Sequence, residues 1–265
     1  MPVDGRQLTR IFWCPTRPFA FLPIHVPGLY GGADPGPRLS DSVISSYTPT
    51  LSALASQQSS EVNPLSVRLV AVRQPTTDGQ PHLMGVPRET RMHIIQELSS
   101  LSPLVSFQEA DGTVEDVLAK MAGSDWIHFA CHGTQDRNNP LDSGPLLADG
   151  RRLKLSDVVR LSRPCGGLAF LSACQTATGD EDLCEEAVHL AAGMLLAGYS
   201  GVIATMWKIG DSNAPEVARD VYKRLFRGGR LPGDGEAAEA LHYAVEYDGQ
   251  SALLMCAHFR DSAHI

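Results

Sequence analysis

The chain has 265 residues, 43% of them hydrophobic, which suits one α/β domain or two small ones and allows a sizeable core; a single domain spanning 1–265 is expected. Its formal net charge of −8 argues against a nucleic-acid binder, whose footprint is a basic patch, and against electrostatic docking on an anionic membrane. Six scattered cysteines (Cys14, Cys131, Cys165, Cys174, Cys184, Cys256) and the lack of a signal-peptide pattern point to reduced thiols and a cytoplasmic home.

Eight of the eighteen prolines lie in the first fifty residues, so the lead-in, residues 1–65, is expected to be short strands and loops. Ile11-Phe12-Trp13-Cys14-Pro15 and Ala20 to Val26 read as two arms of a hairpin. Gly28 to Pro37 is a loop without the Gly-Lys-Ser/Thr ending that a phosphate cradle requires. Thr48-Pro49 opens a helix carrying Leu51, Leu54 and Ala55.

The core, residues 66–244, then alternates. Ser66 to Val72 is a strand, Pro87 to Leu101 a helix by the spacing of Met92, Ile95 and Leu98, and Val105-Ser106-Phe107 a short strand. Thr113 caps a helix that turns Val117, Leu118 and Met121 inward. Trp126 to Cys131 is an apolar strand that stops at His132. Thr134 to Pro145 is a polar, exposed loop; Leu146 to Leu153 reads as a hairpin about Asp149-Gly150; and Ser156 caps a helix with Val158, Val159 and Leu161.

Gly167 to Ala173 is a second apolar strand, stopping at Cys174. A helix from Glu185 to Ala197, a strand from Val202 to Met206 and a helix from Ala214 to Phe226 follow. The uncharged stretch Ala187 to Trp207 is broken by Gly198, Ser200 and Gly201, and so reads as a helix and a buried strand rather than a membrane span. This grammar predicts an α/β fold with a parallel sheet of at least five strands, wound by right-handed crossovers. Strand carboxyl ends in such a sheet form the ligand crevice, so two neighbouring strands would hold an imidazole and a thiol across one groove.

Ile127-His128-Phe129-Ala130-Cys131-His132-Gly133, with Leu171-Ser172-Ala173-Cys174-Gln175-Thr176, resembles the paired motifs of CHAT domains, caspase-like and separase-like cysteine peptidases often attached to helical repeats. Glu186 to Met194, Ala197-Gly198-Tyr199 and Val202 to Trp207 extend the resemblance, which covers about Phe12 to Ala244. It implies a caspase-like three-layer fold, with a mostly parallel central sheet flanked by helices. Residues 245–265 depart from the family: Ser251 to Phe259 stands where a closing aromatic strand is expected, which puts the sheet edge in doubt. The opening residues start where more upstream domain is expected, so the chain reads as incomplete at both ends.

The chemistry implied is peptide-bond cleavage without a cofactor. A thiol with its free pKa near 8.5 needs activation, and His132 can take up the proton of Cys174. The backbone N–H groups of Gly133 and Cys174 would face the oxyanion. By the resemblance, Trp207 lines the pocket for the residue before the cut, and Asp211 meets a basic side chain there or caps the next helix. Asp180-Glu181-Asp182 reads as a solvated loop or a pocket wall.

Simpler readings compete. A cysteine is often a small buried hydrophobe. His128 reads as a hydrogen-bonded core residue and Cys131 as core on the opposite face. A metal site from His128, Cys131, His132 and Cys174 lacks paired ligand spacing, so none is expected. The expected partners are a protein or peptide substrate and a TPR-like regulatory region outside this chain, with no nucleic acid and no membrane. The alternative to a peptidase is a CHAT-like interaction module that binds peptides without turnover.

Overall fold

The computed structural model describes residues 8–16, 19, 22–29, 36–51, 66–90, 104–110, 112–134, 136, 138–161, 166–172, 174–175, 184–205, 213–233, 235–246 and 254–258. In chain order these form Thr9–Trp13 (β1), Val43–Tyr47 (β2), Val67–Arg73 (β3), Val105–Ala110 (β4), helix Val114–Ala122 (α1), Trp126–Ala130 (β5), His132–Thr134 (β6) and Gly144–Pro145 (β7). Helix Leu155–Val159 (α2), Leu168–Leu171 (β8), Cys174–Gln175 (β9), helix Cys184–Leu196 (α3) and Gly201–Thr205 (β10) come next. Helices Ala214–Leu225 (α4) and Glu236–Glu246 (α5) and strand Leu254–His258 (β11) complete the set.

The strands build an eight-stranded sheet, ordered β1-β2-β11-β10-β8-β5-β3-β4, and a three-stranded sheet, β7-β6-β9. From β4 to β10 all pairings are parallel. β5, β8 and β10 are buried along their whole length, as strands covered by helices on both faces must be.

Side-chain alternation divides the core in two. Leu69, Trp126, Leu168, Phe170 and Ile203 face α4 and α5, packing on Val217, Val221, Tyr222, Phe226 and Leu241. Val70, Val72, Ile127, Phe129, Ala169 and Leu171 face the other way, onto Val117 and Met121 of α1, Val158 of α2 and Met194 of α3. The result is three layers, helix, sheet and helix, as expected. Local signals place the helices: the Thr113 hydroxyl accepts from the Asp116 N–H at 3.4 Å and Lys120 pairs with Asp116 at 2.7 Å, fixing the first turns of α1.

The sheet's topology also fixes where a crevice opens. β3 connects outward to β4, whereas β5 connects the opposite way to β8. Chains leaving the carboxyl ends of β3 and β5 therefore diverge, and this switch point is where open α/β sheets bind ligands.

Several expectations are corrected. β1 does not form a hairpin with the 20–26 segment; it runs parallel to β2, and Ile24 and His25 lie in turns. Pro23 removes a ladder donor from that segment. β2 draws on partners remote in sequence: the buried Ser46 hydroxyl accepts from Arg10 Nη2 at 3.0 Å, and the Tyr47 hydroxyl lies 2.6 Å from His25 Nδ1. Helix α2 is capped at Lys154 without a side-chain bond, so Ser156 falls inside its first turn.

The loop after Thr134 is only partly exposed, because Ser143, Gly144 and Pro145 are buried and β7 pairs with β6. A Cβ on Gly144 would sit 1.8 Å from the Leu153 carbonyl oxygen, so glycine alone admits this approach. The expected hairpin follows it: Leu146 bridges Arg152, and Gly150 takes the positive φ of its turn, 73°. The sheet does not stop at β10: β11 adds antiparallel to it and reaches β2 through the pair Ala257 and Tyr47. The helices proposed from Thr48 and through Met92, Ile95 and Leu98 fall largely outside the described residues. Among the described residues no helix is long and apolar enough to cross a membrane.

Candidate active site

β5 and β8 remain paired to their ends, where the Ser172 N–H donates to the Phe129 carbonyl at 2.9 Å. The chain bends at Cys131, and both strands then re-pair as β6 and β9 in the small sheet. Its register sets His132 against Cys174 and Gly133 against Gln175. The two positions expected to carry the chemistry are thus neighbours on adjacent parallel strands, which run about 4.8 Å apart.

His132 is fully buried and held at two points. Its carbonyl accepts from the Leu146 N–H at 2.8 Å, and its Nε2 lies 2.7 Å from the carbonyl oxygen of Pro81. A carbonyl can only accept, so Nε2 must be the donor, and in the neutral ring Nδ1 then keeps its lone pair. Nδ1 is buried and has no hydrogen-bond partner among the described residues. Trp13 Nε1, Ser45 Oγ and Thr77 Oγ1 are in the same state, so what sets Nδ1 apart is its place on the register partner of Cys174.

Pro81 belongs to the segment from Gln74 to Thr90, which leaves β3 and crosses the crevice. The Gln74 N–H donates to Ala130, the Gln80 N–H to Thr77 and the Leu83 N–H to Pro75, while Leu83 and Val86 pack on Ala130. Nothing in the local sequence pointed to Pro81. It lies 51 positions from His132, and the atom that matters is a main-chain oxygen, which residue type does not advertise.

The neighbouring candidates separate clearly. His128, in the middle of β5, is fully buried; its Nε2 is 3.0 Å from Glu89 Oε1 and its Nδ1 3.1 Å from the Tyr222 hydroxyl. Burial, then the charge of Glu89, push the Tyr222 phenol well above its usual pKa. Cys131 is buried in the opposite core. No group of three or more metal-ligating side chains gathers among the described residues. Gly133 lies buried between Pro145 and Gln175. Trp207, Asp211 and the Asp180-Glu181-Asp182 run lie outside the described residues.

At the mouth, Asp136 accepts from the Asn138 and Asn139 N–H groups, each at 3.0 Å. Asp142 pairs with Lys154 at 2.9 Å, and the hydrogen bond from that ammonium holds its carboxyl below the usual range. These ties give the mouth loop more internal structure than its composition suggests.

The profile of the CHAT domain family matches residues 1–246. The chain belongs to the CHAT domain family. No curated protein sequence matches it. Among solved structures it is similar to the Arg-specific cysteine proteinase gingipain R, at TM-score 0.57 and 10% identity over 97% of this chain and 64% of that one. In a complex of the pro- and mature domains of Porphyromonas gingivalis RgpB, the likeness is 0.53 at 12% identity, over 97% and 65%. The separase of a Saccharomyces cerevisiae separase–securin complex gives 0.48 at 14% identity, over 83% of this chain and 14% of that one. This CHAT domain therefore spans under two thirds of the solved chains it resembles, and it shares with the gingipains a caspase-like cysteine-peptidase fold.

Proposed function

We propose that this CHAT domain is a cysteine endopeptidase in which Cys174 is the nucleophile and His132 the general base. The observation that carries the reading is the buried Nδ1 of His132, without a hydrogen-bond partner among the described residues, on a residue whose register partner is Cys174. In this scheme Nδ1 takes the thiol proton as Sγ bonds to the scissile carbonyl carbon. The imidazolium then returns that proton to the amine as the C–N bond breaks, leaving a thioester. Water, deprotonated by Nδ1, attacks the thioester, releases the new carboxyl end and restores the thiol.

The Pro81 carbonyl plays the orienting part that a carboxylate plays in other triads, fixing which nitrogen is basic. The Gly133 and Cys174 N–H groups are assigned to the oxyanion, where removing one donor typically costs about 10²–10³ in kcat. The substrate is a protein, with a basic residue before the cut met by Asp211 beside Trp207. The Arg specificity of gingipain R accords with this choice. No cofactor takes part, the protein acts in the cytoplasm, and an attached or partner TPR-like region controls access to the groove.

A peptidyl acyloxymethyl ketone tests the scheme. The peptidase reading requires a covalent adduct on Cys174 that His132→Ala suppresses. Peptide binding without any adduct would replace it with the interaction-module reading. A positional peptide library tests the pocket: an acidic preference, or a basic one untouched by Asp211→Ala, removes Asp211 from it.

A further inference from the structure

Glu89 and His128 are buried, titratable and unused by the proposed chemistry. Their exposures are 2% and 0%, so the pair has left water completely. A buried ion pair or charged hydrogen bond often contributes no more stability than apolar residues of similar volume, and its best-attested use is to fix a unique arrangement. The arrangement to be fixed here is the segment from Gln74 to Thr90.

That segment is tied to β5 at both ends. At its start, the Gln74 N–H donates to Ala130 at 3.0 Å. At its end, in the helical turn of residues 86–90, Glu89 reaches His128 at 3.0 Å, and the adjacent Arg88 pairs with Glu216 of α4. Between the ties Leu83 and Val86 pack on Ala130, while Pro81, His82 and Met84 are exposed, Met84 by 75%. The exposed bend at Pro81 and His82 has Leu83 as its nearest apolar anchor, and it carries the carbonyl that sets the tautomer of His132.

We propose that Glu89 is a positioning residue for His132: by bonding His128, four residues earlier on the same stretch of chain, it holds the Pro81 carbonyl at the imidazole. One length of chain thereby serves as ruler for both contacts. Glu89 Oε1 accepts from His128 Nε2–H, and the Tyr222 O–H, kept protonated by its burial, donates to Nδ1. This leaves each group with one partner and the side chain with one seating. Slipping the turn by one residue would break both bonds at once. The proposal rests on the peptidase reading for its kinetic consequence but not for its structural one.

The test uses the full 265-residue chain, with nitrogen NMR of the His132 ring and steady-state kinetics in parallel. The wild type should show a single His132 tautomer protonated at Nε2. Glu89→Ala should give a mixture of tautomers and lower kcat by about 10²-fold, the scale of an ångström-sized misplacement, with KM little changed. Glu89→Gln, which keeps an acceptor for His128, should restore both.

A folded Glu89→Ala protein with an unaltered Nε2–H tautomer overturns the proposal. If that variant does not fold, hydrogen exchange on the wild type decides. The Leu83 and Glu89 amides should open only together with those of β5, and independent, fast exchange would overturn the clamp. A tautomer that responds as expected in a protein without turnover would uphold the clamp and defeat the peptidase reading instead.

Discussion

Two histidines four residues apart, both fully excluded from solvent, have opposite hydrogen-bonding states. Both ring nitrogens of His128 are engaged, by Glu89 and by Tyr222, and its ring packs, tilted by 33°, at 4.8 Å from that of Phe170. One nitrogen of His132 is engaged and the other is vacant among the described residues. Burial therefore does not separate the two imidazoles; the nitrogen without a partner among the described residues does, and it belongs to the histidine proposed as the base. The difference arises where β5 ends. His128 is inside the sheet, with helix α4 over it, whereas His132 lies past the bend, in the small sheet beside the switch point.

The largest expected effect breaks the comparison from the reactive side. Cys174→Ala should abolish turnover, and His132→Ala should lower it by about 10²–10⁴-fold or more, the range for a positioned acid–base group. Both proteins should keep a wild-type circular dichroism spectrum. Turnover that survives Cys174→Ala would place the nucleophile elsewhere.

From the structural side, His128→Ala removes one partner of a buried pair and leaves Glu89 uncompensated. About 2–6 kcal/mol of stability should be lost, from about 1–3 for each of the two buried polar groups left without a partner. Thermal unfolding would then shift down by roughly 10 °C, at about 2–4 °C per kcal/mol for a domain of this size. A shift no larger than that of a surface substitution would mean that Glu89 finds another partner.

Cys131→Ala provides a control between the two histidines. Cys131 is buried in the core on the opposite face of the sheet and removing its sulfur costs about 1 kcal/mol, as for one buried methylene. Turnover should stay at the wild-type level, and an equal loss to that of Cys174→Ala would overturn the assignment of nucleophile.

The smallest effect lies far from both histidines. Hydrogen bonding to Arg151, at the hairpin turn, lowers the Glu115 carboxyl from 4.5 to about 2. Because the folded value lies below the ordinary one, the tie is fully present above about pH 4.5 and lost as pH falls through about 2. The pair is exposed and screened by salt. Acid unfolding of Glu115→Gln should differ slightly from wild type across that window, and the difference should vanish in 1 M salt. A difference that persists at high salt would point to packing rather than charge.

What could be read from the sequence was what is written in contiguous residues. The apolar runs of β5, β8 and β10, the Thr113 cap and the Asp149-Gly150 turn all depend on neighbours in the chain, and each is found where expected. The pairing of His132 with Cys174 was legible because both runs end at the same edge. The partners of both histidines were not: Glu89 and Tyr222 lie 39 and 94 positions from His128. β2 also escaped notice, since Ser45 and Ser46 make it look like a loop until Arg10 supplies the partner for the buried Ser46 hydroxyl.

The place of β11 in the sheet has a consequence for how the polypeptide assembles during translation. Among the described strands, β1 and β2 reach the parallel core of the sheet only through β11, with Tyr47 opposite Ala257. Synthesis delivers β2 first and β11 last. At about 5–20 residues per second the first two strands wait roughly 10–40 s for the strand that joins them to the rest. Through that interval β2 presents an unpaired edge, open to a chaperone or to another nascent chain.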